Sequence, residues 1–274
     1  MSKESEILDK LHYLPVLPAV LQEVIASFSN RDINVDELAH KIAQDPGLST
    51  KILRMANSPF YGLTRKVGSV HDAVVVLGFN SLRSLSLASG LACIHQPNSR
   101  HQLDYHTFLG RSFCVANYAE VLAQCLGSER HTAFTAGMLY DIGQVVLDIC
   151  MPEQFSAVLV QQRISGQDLI EIERSVLGVD HVLIGAEMMR RWNFPEAVEL
   201  AVRDWRAPGG GAGGFLASIV HIAVLLEGGL RGEELVGRLP GALRSRLEMN
   251  WERIESCLPE RSQLDGAIKL LLEP

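Results

Sequence analysis

One aspartate stands inside an apolar stretch near the middle of the chain. Asp141 lies in GMLYDIGQVVL, and Val145, Val146 and Ile149 follow it at helical spacing. This spacing predicts that Asp141 lies close to the buried stripe of a helix. A buried carboxylate requires a cation, a metal ion or several hydrogen-bond donors. Asp141 is therefore the first candidate for a catalytic or ligand-binding residue.

Histidines also lie among apolar residues of predicted helices, at His106, His181 and His221. Their order along the chain is informative, because one histidine precedes Asp141 and two follow it. The predicted helices must bring these residues together if they are to form a site. From the residues alone, the alternative is that these histidines are simply buried in the core.

Several common sites are absent from the sequence. It contains no Walker A loop, no G-x-S-x-G nucleophile motif and no H-E-x-x-H zinc motif. The glycines at 209–214 follow no strand and precede no Lys-Ser/Thr pair, so they do not predict a phosphate-binding loop. The five cysteines are odd in number and form no C-x-x-C. They predict buried thiols in a reducing compartment, without a disulfide framework.

Composition limits the classes of function. The chain has 274 residues, a net charge of −7, 47% hydrophobic residues and 21% charged residues. These values are typical of a globular protein and exclude a disordered or collagen-like chain. The net acidity argues against general binding to nucleic acid or to an anionic membrane. The charged first ten residues predict no signal peptide, and the apolar run at 215–226 is too short to cross a membrane.

Capping signals predict helices in the first third of the chain. Asn34 with Glu37 forms a capping box, and Asp45-Pro46 places an N-cap before a proline at the first helical position. Ser69 caps the segment that contains three consecutive valines at 74–76, so helix is predicted there despite their strand preference. Further helices are predicted at 105–126, 130–149, 152–164, 168–177, 181–192, 195–205 and 215–227, with two more near the end of the chain.

The predicted fold class is all-α, a two-lobed helical bundle. The polar stretch at 94–104 separates an N-terminal helical lobe, residues 1–100, from a second lobe, residues 101–274. Within the second lobe, the glycine-rich segment 207–214 predicts a flexible loop.

Six stretches, in order, resemble one family. They are LPVLPAVLQEV, IAQDPGLSTKILRMANSPFYG, SVHDAVVVLGFNSLRSL, AFTAGMLYDIG, ERSVLGVDHVLIGAEMMRRWNFP and IVHIAVLL. The chain resembles the HDOD domain, the HD-related output domain of bacterial signalling proteins, from about residue 14 to residue 226. The resemblance implies that the second lobe is HD-domain-like. It also implies a fold similar to that of HD-type metal phosphohydrolases, in which divalent metal activates water for attack on a phosphoester.

Those enzymes hold metal with a histidine, a His-Asp pair and a distant aspartate. By this resemblance the first histidine corresponds to His106, and the pair corresponds to Tyr140-Asp141, so the histidine of the pair is missing. The distant aspartate corresponds to Val224. Gln144 stands where related cyclic-diguanylate phosphodiesterases often carry a lysine.

Two further positions match weaker features of the superfamily. His181 matches an additional histidine, and Asp204 stands where relatives often carry a run of histidines. The weak candidates for a metal site are therefore His106, Asp141, His181 and Asp204. Six ligands suit Mg²⁺ or Mn²⁺ and four suit Zn²⁺, so this reduced set predicts at most weak binding of a divalent metal. His131 cannot compensate, because ten helical residues separate it from Asp141 by about 15 Å.

Each candidate also has a structural interpretation. His106 fits a core or surface histidine, and Asp141 fits a buried hydrogen-bond or ion-pair partner. His181 fits the start of a helix capped by Asp180. Asp204 fits an exposed helical carboxylate.

A group of arginines offers a further possible site, a pocket for phosphate or nucleotide. It comprises Arg190, Arg191, Arg203 and Arg206. The spacing also predicts the ion pairs Glu187–Arg191 and Glu199–Arg203, which would leave a self-paired solvated face.

The resemblance implies a cytoplasmic bacterial regulator, as in two-component signalling, that acts through protein–protein contacts. The expected surface is the cleft between the lobes, and the expected partner is a protein acting in trans, with a homo-oligomer allowed. We assign no catalytic residue, no cofactor-binding residue and no metal ligand beyond the weak candidates, and expect no nucleic-acid or membrane partner. The alternative is a metal-dependent phosphohydrolase acting on a nucleotide or cyclic dinucleotide. A nucleotide sensor that uses the arginine group is a third hypothesis.

Overall fold

The computed structural model describes residues 19–29, 34–91, 102–208, 213–239, 241–248 and 251–273. Within these ranges the chain consists of α-helices joined by turns and short connections, and contains no β-strand. The predicted all-α class is therefore confirmed.

Five helices lie within the described residues 19–29 and 34–91. They are α1 (Ala19–Ser29), α2 (Val35–Gln44), α3 (Pro46–Ala56), α4 (Val70–Leu77) and α5 (Phe79–Leu91). Helix α5 packs against α1, α3 and α4, and α2 packs against α4.

The N-caps that predicted three of these helices are present, but Glu37 pairs with Lys41 and does not complete the predicted capping box with Asn34. The Asn34 side chain accepts hydrogen bonds from the backbone N–H groups of Asp36 and Glu37. Asp45 caps α3 through the Leu48 N–H, with Pro46 as its first residue, and the Ser69 hydroxyl accepts from the Asp72 N–H. These bonds satisfy donors that the first turn of a helix leaves free, which explains why the valine run at 74–76 is helical.

The helices after residue 101 form the larger part. They are α6 (Tyr105–Leu126), α7 (Arg130–Leu139), α8 (Ile142–Cys150), α9 (Pro152–Ser165), α10 (Leu169–Val176), α11 (His181–Arg191), α12 (Glu196–Asp204), α13 (Gly214–Glu227), α14 (Gly232–Gly237), α15 (Gly241–Glu248), α16 (Trp251–Cys257) and α17 (Arg261–Leu272). Helix α6 is buried along most of its length and packs against α7, α13, α16 and α17. In the described residues after α13 there are four helices, whereas the sequence predicted two.

The helix predicted at 130–149 is interrupted. Helix α7 ends at Leu139, and α8 begins at Ile142 after a turn at Tyr140 and Asp141. Asp141 therefore lies at a helix junction and not inside a continuous helix, with backbone angles φ −115° and ψ 13°. A junction releases backbone groups and side chains from the regular helical register, so Asp141 can turn toward α11.

Glycines allow the helices around this junction to approach closely. A Cβ atom on Gly143 would lie 1.8 Å from the carbonyl oxygen of His181, and a Cβ atom on Gly137 would lie 2.8 Å from the Ala116 Cα. Neither position has space for a side chain. Gly143 thus brings α8 against the first turn of α11, and Gly137 brings α7 against α6.

The last helix connects distant parts of the chain. Helix α17 packs against both α3 and α6. The Lys51 ammonium group donates hydrogen bonds to the carbonyl oxygens of Leu271 (3.1 Å) and Glu273 (2.9 Å), and Arg54 pairs with the Glu273 carboxylate. The end of α17 is therefore held by side chains of α3.

The predicted division into lobes 1–100 and 101–274 remains a prediction, and most of the stretch proposed as its boundary lies outside the described residues. The same is true of residues 209–212 in the predicted glycine-rich loop. In the part of the chain that the structure describes, Arg130–Cys150 is long and apolar enough to cross a membrane, and 83% of its apolar window is buried inside the protein.

Candidate functional site

Asp141 and His181 meet in the interior, and a second carboxylate joins them. The His181 Nε2 atom lies 3.3 Å from the Asp141 Oδ1 atom. On the opposite side of the ring, His181 Nδ1 lies 2.7 Å from Glu173 Oε2 and 2.9 Å from Oε1. Glu173 also accepts a hydrogen bond from the His181 backbone N–H at 2.9 Å. We call these three residues the buried triad.

The charges of the buried triad determine the protonation of its histidine. His181 is 2% exposed, and burial by itself lowers the pKa of an imidazole. The hydrogen bonds and negative charges of Asp141 and Glu173 outweigh burial and raise the pKa of His181 to about 10. His181 is therefore an imidazolium at neutral pH, placed between two carboxylates.

Local structure fixes the position of each member. Asp180 caps α11 by accepting a hydrogen bond from the Leu183 N–H, and this cap places His181 at the first position of the helix. Arg174 pairs with Asp180 at 2.7 Å and holds α10 against that cap. Glu173 lies on the buried face of α10. The close approach at Gly143 brings the junction that carries Asp141 to the same point.

Tyr140, the residue before Asp141, is buried and packs on an aromatic neighbour. Its ring lies edge-on to Trp205 with the centroids 5.1 Å apart. Burial, followed by the charge of Asp141, raises the pKa of the Tyr140 hydroxyl well above 10. His221 Nδ1 lies 3.0 Å from the carbonyl oxygen of Trp205, and burial lowers its pKa. Tyr140 is thus a neutral core phenol, and His221 is a half-buried residue that contacts the Trp205 backbone.

A small cavity of about 140 Å³ lies on the other side of Asp141. Arg111, Tyr140, Asp141 and Gln144 contribute to its wall. The Gln144 side-chain amide donates to Asp141 Oδ2 at 3.0 Å, and Arg111 pairs with Glu227 at 3.3 Å. Asp141 therefore receives a hydrogen bond from Gln144 on one oxygen and faces His181 with the other.

The remaining sequence candidates lie apart from the triad. His106 is exposed on the first turn of α6 and does not line this cavity. Asp204 forms two hydrogen bonds with the Arg203 guanidinium, at 2.9 and 3.1 Å, and accepts the Gly213 N–H at 2.8 Å. Of the four candidates, the structure brings together Asp141 and His181. The convergence of all four on one ion, which the hydrolase hypothesis requires, is not found.

These residues do not fit a metal centre. Asp141 and His181 are the two candidates that meet, whereas a zinc site needs about four ligands and Mg²⁺ or Mn²⁺ about six. A phenol with a raised pKa does not supply a phenolate ligand, and Val224 supplies no ligand. The described residues hold no cluster of three or more His, Cys, Asp or Glu side chains arranged for a metal ion.

The arginine group divides into separate ion pairs. Arg190 and Arg191 both pair with Glu187, which confirms the predicted Glu187–Arg191 pair. The predicted Glu199–Arg203 pair is wrong, because the Arg203 guanidinium bonds to the adjacent Asp204.

A cavity of about 800 Å³ is lined by Arg174, Arg203 and Arg206. Each of these guanidinium groups pairs with an aspartate, namely Asp180, Asp204 and Asp168. A phosphate would have to compete with all three carboxylates.

Glu173 is the member of the site that the sequence did not reveal. It lies eight residues before His181, in a helix that also carries Glu171 and Arg174. The available signal was its spacing from Ile170 and Leu177, which places a carboxylate on the apolar face of α10.

The fold is therefore all-helical in the described residues, and Asp141, at the junction before α8, meets His181 at the start of α11. The HDOD domain family model matches residues 14–208. The chain therefore belongs to the HDOD domain family. An uncharacterized protein of Treponema pallidum (strain Nichols) is 26% identical over 203 residues, which cover 73% of this chain and 39% of that protein. The match thus spans well under half the length of that relative.

Solved structures share the fold over almost the whole chain. A protein of Shewanella amazonensis SB2B, described as a candidate phosphohydrolase, is 26% identical with a TM-score of 0.78 and covers 97% of both chains. An HDOD domain protein of unknown function from Geobacter sulfurreducens is 21% identical with a TM-score of 0.78 and covers 99% of both chains. A Marinobacter aquaeolei VT8 protein described as a candidate signal transduction protein is 24% identical, with a TM-score of 0.79 over 99% of this chain and 67% of that one. The last two likenesses establish the fold alone.

Proposed function

We propose that this chain is a non-catalytic regulatory module of bacterial signalling that acts in the cytoplasm through protein–protein contacts. The observation that carries the proposal is the position of His181, whose two ring nitrogens face Asp141 and Glu173. The imidazolium supplies the positive charge that a buried carboxylate requires. An ion pair within the chain therefore does what a metal ion does in a hydrolase of this fold, which is to neutralise Asp141.

The neighbouring positions support the same conclusion. Tyr140 is a buried phenol packed on Trp205, and Val224 is an aliphatic residue of α13. A metal phosphohydrolase would need ligands at both positions to activate water. The HD-related scaffold is kept while its ligands are replaced, and signalling through contacts is the role that family resemblance implies.

A metal-dependent phosphohydrolase is the second candidate. The likeness to the Shewanella protein favours it, since that protein is described as a candidate phosphohydrolase and is 26% identical over 97% of both chains. This function would need His181 to lose its proton on Nε2, and it would need further ligands beside Asp141 and His181.

Elemental analysis of tag-free protein distinguishes the two candidates. The protein is purified without chelator, loaded separately with Mn²⁺, Fe²⁺, Mg²⁺ and Zn²⁺, and desalted before measurement. We expect substoichiometric metal in every preparation, and the same content in wild type, Asp141→Asn and the exposed control Glu171→Gln. Stoichiometric metal that is lost in Asp141→Asn alone would contradict the proposal and favour the hydrolase.

Co-purification tests the contact function directly. The full chain is used as bait under several growth conditions of the source bacterium, with chemical crosslinking to retain transient complexes. We expect one or more specific protein partners whose recovery survives Asp141→Asn, because the triad is structural in this proposal. Recovery of no partner under any condition would contradict it.

A further inference from the structure

Two cysteines from distant parts of the chain meet between α6 and α16. Cys125 lies in the last turn of α6 and is 7% exposed, and Cys257 is the last residue of α16. The two helices pack against each other, and a hydrogen bond joins the two thiols. Both cysteines are free. We call them the thiol pair.

The two thiols differ in their access to solvent. Among the described residues, Cys257 is the one exposed cysteine, whereas Cys125 is buried. The prediction of buried thiols is therefore wrong for Cys257. Cys257 also lines a cavity of about 490 Å³, whose wall continues along α6 through Val121 and Gln124. A small oxidant can thus reach Cys257 from solvent and through this cavity.

The surroundings of Cys125 indicate which thiol reacts first. Burial, followed by the charge of Cys257 and the hydrogen bond to it, raises the pKa of Cys125. The Arg253 guanidinium group, one turn before Cys257 on α16, acts in the opposite direction. Because the thiolate is the form that attacks an oxidant, buried Cys125 reacts slowly by itself. An accessible thiol beside a second thiol that can resolve its oxidised form is typical of redox sensors.

The other described cysteines are less suited to this chemistry. Cys114 lies in the core on α6 with no exposed surface, and burial raises its pKa to about 12. Cys150 is partly buried at the end of α8. These two cysteines therefore report on oxidation that is not specific to the thiol pair.

We propose that Cys125 and Cys257 form a reversible disulfide when a peroxide oxidises the protein. The Cys257 thiolate attacks hydrogen peroxide, so that an S–O bond forms, the O–O bond breaks, and the hydroxide released takes up a proton to become water. The Cys125 thiolate then attacks the sulfur atom of this sulfenic acid, so that the S–S bond forms, the S–O bond breaks and a second water leaves. Overall, the two thiols lose two electrons and two protons, and one peroxide becomes two waters.

The disulfide changes how the last helices are held. It joins α16 covalently to α6, and α17, which packs on α3 and α6, follows α16 directly. The bond also closes a long loop, which restricts the unfolded chain and stabilises the folded one. Transient, redox-sensing disulfides are the kind that occur in reducing compartments. The thiol pair does not depend on the proposed function, because thiols and peroxide react without a protein partner.

Peptide mapping of the oxidised protein tests the disulfide. The full chain is reduced with dithiothreitol, desalted, treated with a small molar excess of hydrogen peroxide and alkylated with N-ethylmaleimide. Digestion without reductant and mass spectrometry identify linked peptides. We expect a monomer that has lost two hydrogen atoms, with Cys125 linked to Cys257 as the main product, and full reversal by dithiothreitol. The midpoint of thermal unfolding should rise by at least about 5 °C on oxidation.

Three variants give the test its controls. Cys257→Ser and Cys125→Ala should each abolish the linked peptide and the rise in the midpoint, whereas Cys150→Ser should retain both. Cys257→Ser changes an exposed side chain, so the test remains decisive if Cys125→Ala folds poorly. In Cys125→Ala, Cys257 should proceed to sulfinic acid, because the resolving thiol is missing.

Three outcomes in the wild-type protein would overturn the inference. They are oxidation of Cys257 to sulfinic acid without a linked peptide, a main product linked through Cys114, Cys150 or a second chain, and no reaction of Cys257 with peroxide. Each of them would show that the two thiols do not act as a pair. Capture of a signalling partner is a separate measurement, so the proposed function stands or fails independently of these results.

Discussion

At the scale of single residues, buried negative charges are balanced by a buried positive charge within the same chain. Asp141 and Glu173 enclose the His181 imidazolium, and Gln144 provides a further hydrogen bond to Asp141. Replacing one member of such a group is costly, because the others remain buried and lose their partner. We therefore expect a substitution of any one member of the triad to lower the free energy of unfolding strongly.

Replacing His181 tests this balance. His181→Gln leaves two buried carboxylates without a cation, and we expect it to lower the free energy of unfolding by about 3–5 kcal/mol near pH 7. The folded-state pKa of about 10 exceeds the ordinary 6.5, so this stabilisation is complete below pH 6.5 and is lost as the pH rises toward 10. Urea unfolding at pH 6.5, 8 and 9.5 measures the effect. A wild type–variant difference that is independent of pH would show that His181 is not an imidazolium in the folded protein.

Glu120 presents the opposite case, a carboxylate whose folded-state pKa is raised by burial. Its ionised form destabilises the folded protein, so its favourable contribution is present below the ordinary pKa of 4.5 and is lost as the pH rises through the folded-state value. We expect Glu120→Gln to be more stable than wild type at pH 7, with the difference closing below about pH 4. Chemical unfolding across that range checks it, with Glu171→Gln as the exposed control. A destabilised Glu120→Gln at pH 7 would mean that the charge of Arg130, whose Nε atom lies 3.9 Å from Glu120 Oε1, outweighs the cost of burial.

At the scale of elements, close contact between helix backbones positions the site. The first turn of α11 lies against Gly143 of α8, where no Cβ atom fits, and the junction at Tyr140–Asp141 turns the carboxylate toward it. The geometry of the triad thus depends on two backbone features, a helix junction and a glycine.

Gly143→Ala tests the importance of this contact. The new Cβ atom would lie 1.8 Å from the His181 carbonyl oxygen, so α8 and α11 would have to separate. We expect a loss of about 3 kcal/mol or more in unfolding free energy, the upper part of the range for overpacked cores.

Gly266→Ala is the matched control for this change. Gly266 lies inside α17 with nothing within 4 Å of its Cβ position, so alanine should stabilise the protein by about 0.5–1 kcal/mol. Thermal and urea unfolding of both variants measure the contrast. Similar effects of the two substitutions would show that α8 and α11 are not in close contact at Gly143.

At the scale of the whole molecule, local signals in the sequence predicted more than long-range ones. The caps at Asn34, Asp45 and Ser69 predicted their helices because cap and helix are neighbours in the chain. The break between α7 and α8 was not predicted, since apolar spacing continues through Tyr140 and Asp141.

The same limit explains the outcome at the candidate site. The Asp141–His181 contact joins residues 40 positions apart, and the family resemblance placed both in one set. Glu173 was missed because nothing in its local sequence indicates which imidazole it faces.

Helix α17 makes the longest-range connection and lies beyond the family match, which ends at residue 208. It contacts α3 and α6 at once, with Leu264 fully buried and a Gly110 Cβ position 3.4 Å from Ile268. It therefore ties the N-terminal helices to the remainder of the protein. A substitution that loosens α17 should destabilise the whole chain and not just its end.

Leu264→Ala tests this role, because it leaves a cavity under α17. We expect it to lower the free energy of unfolding by about 2–5 kcal/mol in a single transition. The exposed control Leu183→Ala, at a position that is 40% exposed, should change it by less than about 0.5 kcal/mol. Urea unfolding followed by tryptophan fluorescence and by circular dichroism measures both variants. If Leu264→Ala gave two separate transitions, or left the midpoint unchanged, α17 would not unite the fold, because its packing would then be energetically independent of α3 and α6.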